Sequence, residues 1–132
     1  MKNPFILLLT AFLALAGCAG GGGSYTSARI QQDFAVGLDV PDSAWEVEIT
    51  GIYDTGSEII MVAELERPEG VMAAQAITWV SDRVTLTAPY RPVQTYVVGK
   101  TWNWVNDAPY EFIDSRAAIA GELDDATRLW PR

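Results

Sequence analysis

From Trp45 onward, apolar and polar positions alternate with period two, the pattern of half-buried strands. Trp45, Val47 and Ile49 alternate with Glu46, Glu48 and Thr50, predicting a strand that runs to about Tyr53. Asp54-Thr55-Gly56-Ser57 then reads as a turn, and residues 58–67 as a second strand. In that strand Ile59, Met61, Ala63 and Leu65 face one way and Ile60, Val62, Glu64 and Glu66 the other. Its first half is therefore expected to be buried on both faces and its second half on one. Arg67-Pro68-Glu69-Gly70 suits a type I turn. A third strand is expected over 71–80, broken by Ser81-Asp82, with a fourth carrying Val84, Leu86 and Ala88. Pro89-Tyr90-Arg91-Pro92 reads as an extended crossing, because proline donates no ladder hydrogen bond. Residues 93–98 form a fifth strand. Gly99-Lys100 fits either a two-residue hairpin turn or a glycine bulge. The pattern then predicts a strand over 101–105 with Trp102 and Trp104 on one face, a turn at 106–109 and a short last strand over 110–113.

The two ends differ. Ile30, Phe34 and Leu38 fall at helical spacing, but Gly37 and Pro41 argue for a short element. Ile119, Leu123, Ala126 and Trp130 form one helical stripe, with Asp114 or Ser115 as N-cap and Asp124 and Arg128 as an i,i+4 pair. The expected architecture is mainly β: a small antiparallel β-sandwich or partly open barrel with one C-terminal helix, in a single domain over 34–132.

The start of the chain obeys another rule. Lys2 precedes a run from residue 5 to 16 that is apolar except for Thr10. Spanning a membrane takes about 20 apolar residues, so the run is short for that purpose and suits a secretory leader. Leu15-Ala16-Gly17-Cys18 follows, then Ala19 and four glycines. This resembles the signal peptide of bacterial lipoproteins, matching all four positions of the lipobox. The resemblance covers residues 1–18 and implies diacylglycerol on the Cys18 sulfur, cleavage between Gly17 and Cys18, and a further acyl chain on the new amino group. It divides the chain into a signal peptide, 1–17, a lipidated Gly-rich tether, 18–33, and the domain. The expected location is the cell envelope. In a Gram-negative host Ala19, rather than the Asp that favours inner-membrane retention in enteric bacteria, points to the outer membrane facing the periplasm.

Charge and composition narrow the activity. The chain carries 9 basic and 17 acidic side chains. Lys2 falls in the leader, so residues 18–132 hold 8 basic and 17 acidic groups and a net charge of −9. Such a surface repels nucleic acid and anionic headgroups, leaving membrane attachment to the acyl chains. With no histidine and one cysteine, the chain cannot build a Ser-His-Asp triad, an imidazole zinc site or an internal disulfide. No cofactor is expected beyond the covalent lipid on Cys18, and no metal site: Asn103, Asn106 and Asp107 match no EF-hand spacing.

Two patterns remain as candidate chemistry. Asp54-Thr55-Gly56-Ser57 resembles the Asp-Thr-Gly-Ser loop of aspartic peptidases, which implies a homodimer with Asp54 as catalytic residue. Val97-Val98-Gly99 resembles that family's downstream apolar-apolar-Gly element. Bulky Tyr53, the lack of a glycine-rich flap and the strand expected over 101–105 depart from the family. The same four residues also make a hairpin turn for local reasons. The second pattern is aromatic: Trp79, Tyr90, Tyr96, Trp102, Trp104 and Tyr110. Rings on strands usually fill cores, but exposed ones stack on sugars. Trp102 and Trp104, with Asn106 and Asp107 beside them, are the glycan-binding candidates. The leading expectation is a non-catalytic domain that binds or scaffolds an envelope protein, ahead of glycan binding and of a dimeric peptidase.

Overall fold

The computed structural model describes residues 28–132. The expected signal peptide and cleavage site at Gly17, the expected lipidation site Cys18 and the glycine run lie outside the described residues. Among the described residues seven strands form two sheets. β1 (Arg29–Val40) and β4 (Thr78–Pro89) pair antiparallel along their whole length, from Arg29 opposite Pro89 to Val40 opposite Thr78. The larger sheet contains β2 (Glu46–Asp54), β3 (Ile59–Glu66), β5 (Val93–Val98), β6 (Glu111–Ile113) and β7 (Thr127–Trp130) in the order β6-β5-β3-β2-β7. The long β1–β4 ribbon packs on one face of this sheet, giving the expected sandwich-like, mainly β architecture with no closed barrel among the described residues. The larger sheet is mixed rather than purely antiparallel, since β3 pairs with β5 and β5 with β6 in parallel.

β1 is a strand, not a helix. Phe34 and Leu38 satisfy both spacings, but Phe34, Val36, Leu38 and Val40 are all buried while Asp33, Ala35 and Asp39 are exposed, which is period two. A twelve-residue ladder with β4 decides it. The strand also starts at Arg29, inside the segment read as tether. Ser81-Asp82 does not interrupt β4: Asp82 turns inward, and its Oδ2 accepts the Ile49 N–H at 2.8 Å. By contrast, 71–77 is a loop after Gly70, with Met72 fully exposed. Its side chains lack alternation and bury nothing that would hold a strand there.

β2 contains a bulge between Ile49 and Gly51. It moves the inward positions from Val47 and Ile49 to Ile52, and so sends Tyr53 to the opposite face. Gly51 permits this, because a Cβ there would lie 2.5 Å from the Tyr53 ring. β3 is central, and Ile59, Ile60, Met61, Val62 and Ala63 are buried from both sides. Fully burying one such aliphatic side chain is worth about 1.5–3 kcal/mol, so β3 anchors both cores.

The C-terminal helix is shorter than its stripe implies. A 3-10 turn, Arg116–Ile119, leads into α1 (Ala120–Asp124), after which the chain reverses into β7 along β2. Ser115 stands at the N-cap position, but no side chain caps the turn. Ile119, Leu123 and Ala126 cover Tyr53, Ile60, Val62 and Tyr96 on one face of the sheet, whereas Trp130 joins the core on the other. Arg128 lies in β7, so the expected helical pair with Asp124 does not form. Arg116 ties this segment down, donating to the Tyr53 hydroxyl and, at 3.2 Å, to Thr50 Oγ1. Among the described residues no helix is long and apolar enough to cross a membrane.

Candidate functional site

Asp54 ends β2, and the turn that follows is closed by its own side chains. Asp54 Oδ1 accepts the Gly56 N–H at 2.8 Å, Gly56 takes φ +95°, and Thr55 Oγ1 accepts the Glu58 N–H at 3.1 Å. The second partner of Asp54 is Arg91, whose buried Nε lies 2.9 Å from Oδ1. The contact is an ion pair whose angle falls short of an N–H···O hydrogen bond. Both side chains are mostly covered, at 15% and 20% exposure. An aspartic peptidase needs a carboxylate free to share a proton with a second carboxylate. Here the carboxylate is engaged by a guanidinium and a backbone amide, an arrangement that serves the turn and the Arg91 crossing.

The aromatic candidates sit on a loop, not on a strand. β5 ends at Val98, and Gly99 takes φ +98° to start a loop that runs to Tyr110. Gly99-Lys100 is therefore neither a hairpin turn nor a bulge. Lys100 Nζ donates to the Trp104 carbonyl at 2.7 Å and stands 4.7 Å from the centre of the Phe112 ring, pinning the loop from inside. Trp102 packs edge-on against Trp45 at 5.2 Å and joins the main core. Its Nε1 donates to Asn106 Oδ1 at 3.0 Å, and Asn106 Nδ2 donates to the Asp39 carbonyl at 2.8 Å. The buried Asn106 amide thus uses both ends within the protein. Trp104 is half-buried against Trp102, and Asp107 is exposed. Of the four candidates, Asn106 is buried, Trp102 and Trp104 are partly covered, and Asp107 is exposed. Tyr110 Oη accepts the Gly37 N–H at 3.1 Å and donates back to its carbonyl at 3.2 Å. Of the six rings Tyr90 is the most open to solvent, at 76%, followed by Trp79, 64% exposed and laid over Gly37, where a Cβ would lie 2.4 Å from the ring.

A further feature lies at the edge of β2. β7 pairs with β2 only at Ile52, Tyr53 and Asp54. Residues 46–50 therefore have β3 on one side and, on the other, a cleft of about 480 Å³ bounded by β4. Trp45, Val47 and Val80 give it an apolar lining, and Glu46, Glu48, Glu64 and Glu66 an acidic one. The glutamates were visible in the sequence as alternate positions of two neighbouring strands. What was not visible was the register, which sets Glu46 opposite Glu66 and Glu48 opposite Glu64.

Outside the cleft, Asp42, Asp33 and Asp54 are ion-paired. Partial burial pushes the Asp42 carboxyl up, but the Ala44 N–H at 2.9 Å and Arg67 at 3.0 Å outweigh it and hold the group below the ordinary value of 3.8. Among the described residues no three Asp, Glu, His or Cys side chains converge as a metal site. Comparison with protein-family models, with curated proteins and with solved structures finds no match in any of the three.

Proposed function

We propose that the chain is a lipid-anchored, non-catalytic domain of a bacterial envelope, held by acyl chains on Cys18, whose ligand is another protein. The observation that carries the binding half is the open edge of β2 beside its cleft. Exposed sheet edges are where proteins accept a strand from a partner. The anchor half rests on Leu15-Ala16-Gly17-Cys18 and its flanks. A tether of about nine residues reaches roughly 15–20 Å, which keeps the domain close to the bilayer. Two or more acyl chains hold it there stably. In a Gram-negative host the location is the outer membrane, facing the periplasm.

The reading is tested on protein extracted from native membranes. Mass spectrometry is expected to show residues 18–132 plus acyl mass, and Cys18→Ala to release the protein from the membrane. Affinity capture on the anchored protein is expected to return a saturable protein partner. Unmodified full-length protein would contradict the anchor, and peptide hydrolysis lost in Asp54→Asn would contradict the non-catalytic assignment. Glycan binding is the second reading, favoured by the exposed Trp79 ring with Asp107 across a shallow groove. It requires that soluble envelope glycans quench tryptophan fluorescence in the wild type and not in Trp79→Ala.

A further inference from the structure

We infer that the free edge of β2 takes an extended segment of the partner as an added strand, and that this segment alternates lysine or arginine with apolar residues. The inference rests on the protein-binding reading and deepens it. Its first support is backbone direction. In an antiparallel pair, residues two apart send their N–H and C=O groups to the same side. The Ile49 N–H points away from β3, where Asp82 accepts it. Val47, two residues earlier, therefore turns its N–H and C=O toward the cleft, where no partner meets them among the described residues. Up to the Asp82 contact at Ile49, the open stretch 46–48 is about 10 Å long, enough for one hydrogen-bonded residue pair with an added segment.

The second support is charge. Like charges directly opposite one another destabilise a sheet, and Glu46–Glu66 and Glu48–Glu64 are two such couples in succession. The three ion pairs among the described residues join Arg67 to Asp42, Arg83 to Asp33 and Arg91 to Asp54, and none reaches these glutamates. Cations brought by a partner would relieve the repulsion.

Sheet geometry then fixes the order of residues in the ligand. Side chains of an added strand alternate between the two faces of the sheet. Those on one face lie beside Glu46 and Glu48, and those on the other beside Val47 and Val80. Alternating basic and apolar residues match both faces at once.

The test uses the full anchored protein in zwitterionic detergent micelles. A fluorescein-labelled peptide alternating Lys and Val is titrated against it and read by anisotropy. Saturable binding is expected, weakening at least about tenfold when salt is raised from about 50 to 500 mM. A Glu-Val peptide and a Lys-Val peptide N-methylated on one edge are expected to bind at least about tenfold more weakly. Glu46→Lys with Glu48→Lys is expected to cut affinity about tenfold or more while raising Tm by about 2–8 °C, because each opposed couple becomes a salt bridge. Glu46→Gln with Glu48→Gln, close in shape to the wild type, is expected to weaken binding in the same direction. Equal binding by wild type and both variants, or by the N-methylated peptide, would overturn the inference. So would a wild type inert to the peptide whose Lys variant self-associates, since the glutamates would then only guard the edge. Failure of the peptide while membranes still yield a saturable protein partner removes this inference alone. Failure of that capture removes the reading beneath it.

Discussion

Single residues in this chain show how a chemically suggestive side chain can be committed to structure. Asp54 holds Arg91 and the Gly56 amide at once. Asp54→Asn keeps the amide acceptor and removes the charge, leaving a mostly covered guanidinium without its counter-ion. The expected cost is about 1–3 kcal/mol in urea unfolding, with Arg91→Gln in the same background recovering part of it. Asp42 gives a dependence on pH. Its folded-state pKa is lowered, so its stabilising contribution is complete above the unfolded value and is lost as pH falls through the folded one. The stability gap between wild type and Asp42→Asn is therefore expected to be full at pH 6 to 7 and to close as pH drops below about 4. A gap that stayed constant down to pH 2 would show that the carboxylate charge is not what Asp42 supplies.

At the scale of elements, two glycines with the same backbone sign separate conformational strain from steric exclusion. Gly56 at φ +95° has open space around it, whereas at Gly99, φ +98°, a Cβ would lie 2.6 Å from the Leu65 carbonyl oxygen of the neighbouring strand. Gly56→Ala is expected to cost about 1 kcal/mol, and Gly99→Ala to exceed it, at about 3 kcal/mol. Comparable losses at the two positions, measured by thermal unfolding, would mean that the end of β5 gives way easily. Elements whose alternation had a single solution were legible in the sequence. β2, β3 and β5 stand within a residue or two of their expected bounds, β2 through its alternation and β3 and β5 as short runs rich in Val, Ile, Thr and Tyr bounded by turn residues. β1 was ambiguous because Phe34 and Leu38 lie four apart and also on one strand face, and only pairing with β4 decides between them. Thr101 to Val105 looked like a strand, yet Lys100 donates to the Trp104 carbonyl and Trp102 to Asn106, closing a loop. The last residues misled for a related reason. Ala126 and Trp130 continue the stripe of Ile119 and Leu123, but a five-residue helix gives way to a strand that shields part of the β2 edge.

For the molecule as a whole, the lipobox lies outside the described residues, and its part in the account comes from sequence alone. The proposed binding surface is the reverse case. Glu46, Glu48, Glu64 and Glu66 are plain in the sequence, but their opposition and the open edge beside them depend on the β2–β3 register and on β7 stopping short. Together these place an acidic, open edge on the domain, and the proposed acyl anchor would hold it at a membrane whose anionic headgroups its net charge of −9 repels. The most direct test is site-specific photo-cross-linking in native envelopes, with a photoreactive residue at position 48 and, for comparison, at position 85 on the exposed outer face of the ribbon. The account predicts a protein adduct from position 48 that lies within a basic, extended stretch of the partner, with little or none from position 85. Adducts with lipid or glycan only, or equal protein adducts from both positions, would contradict it.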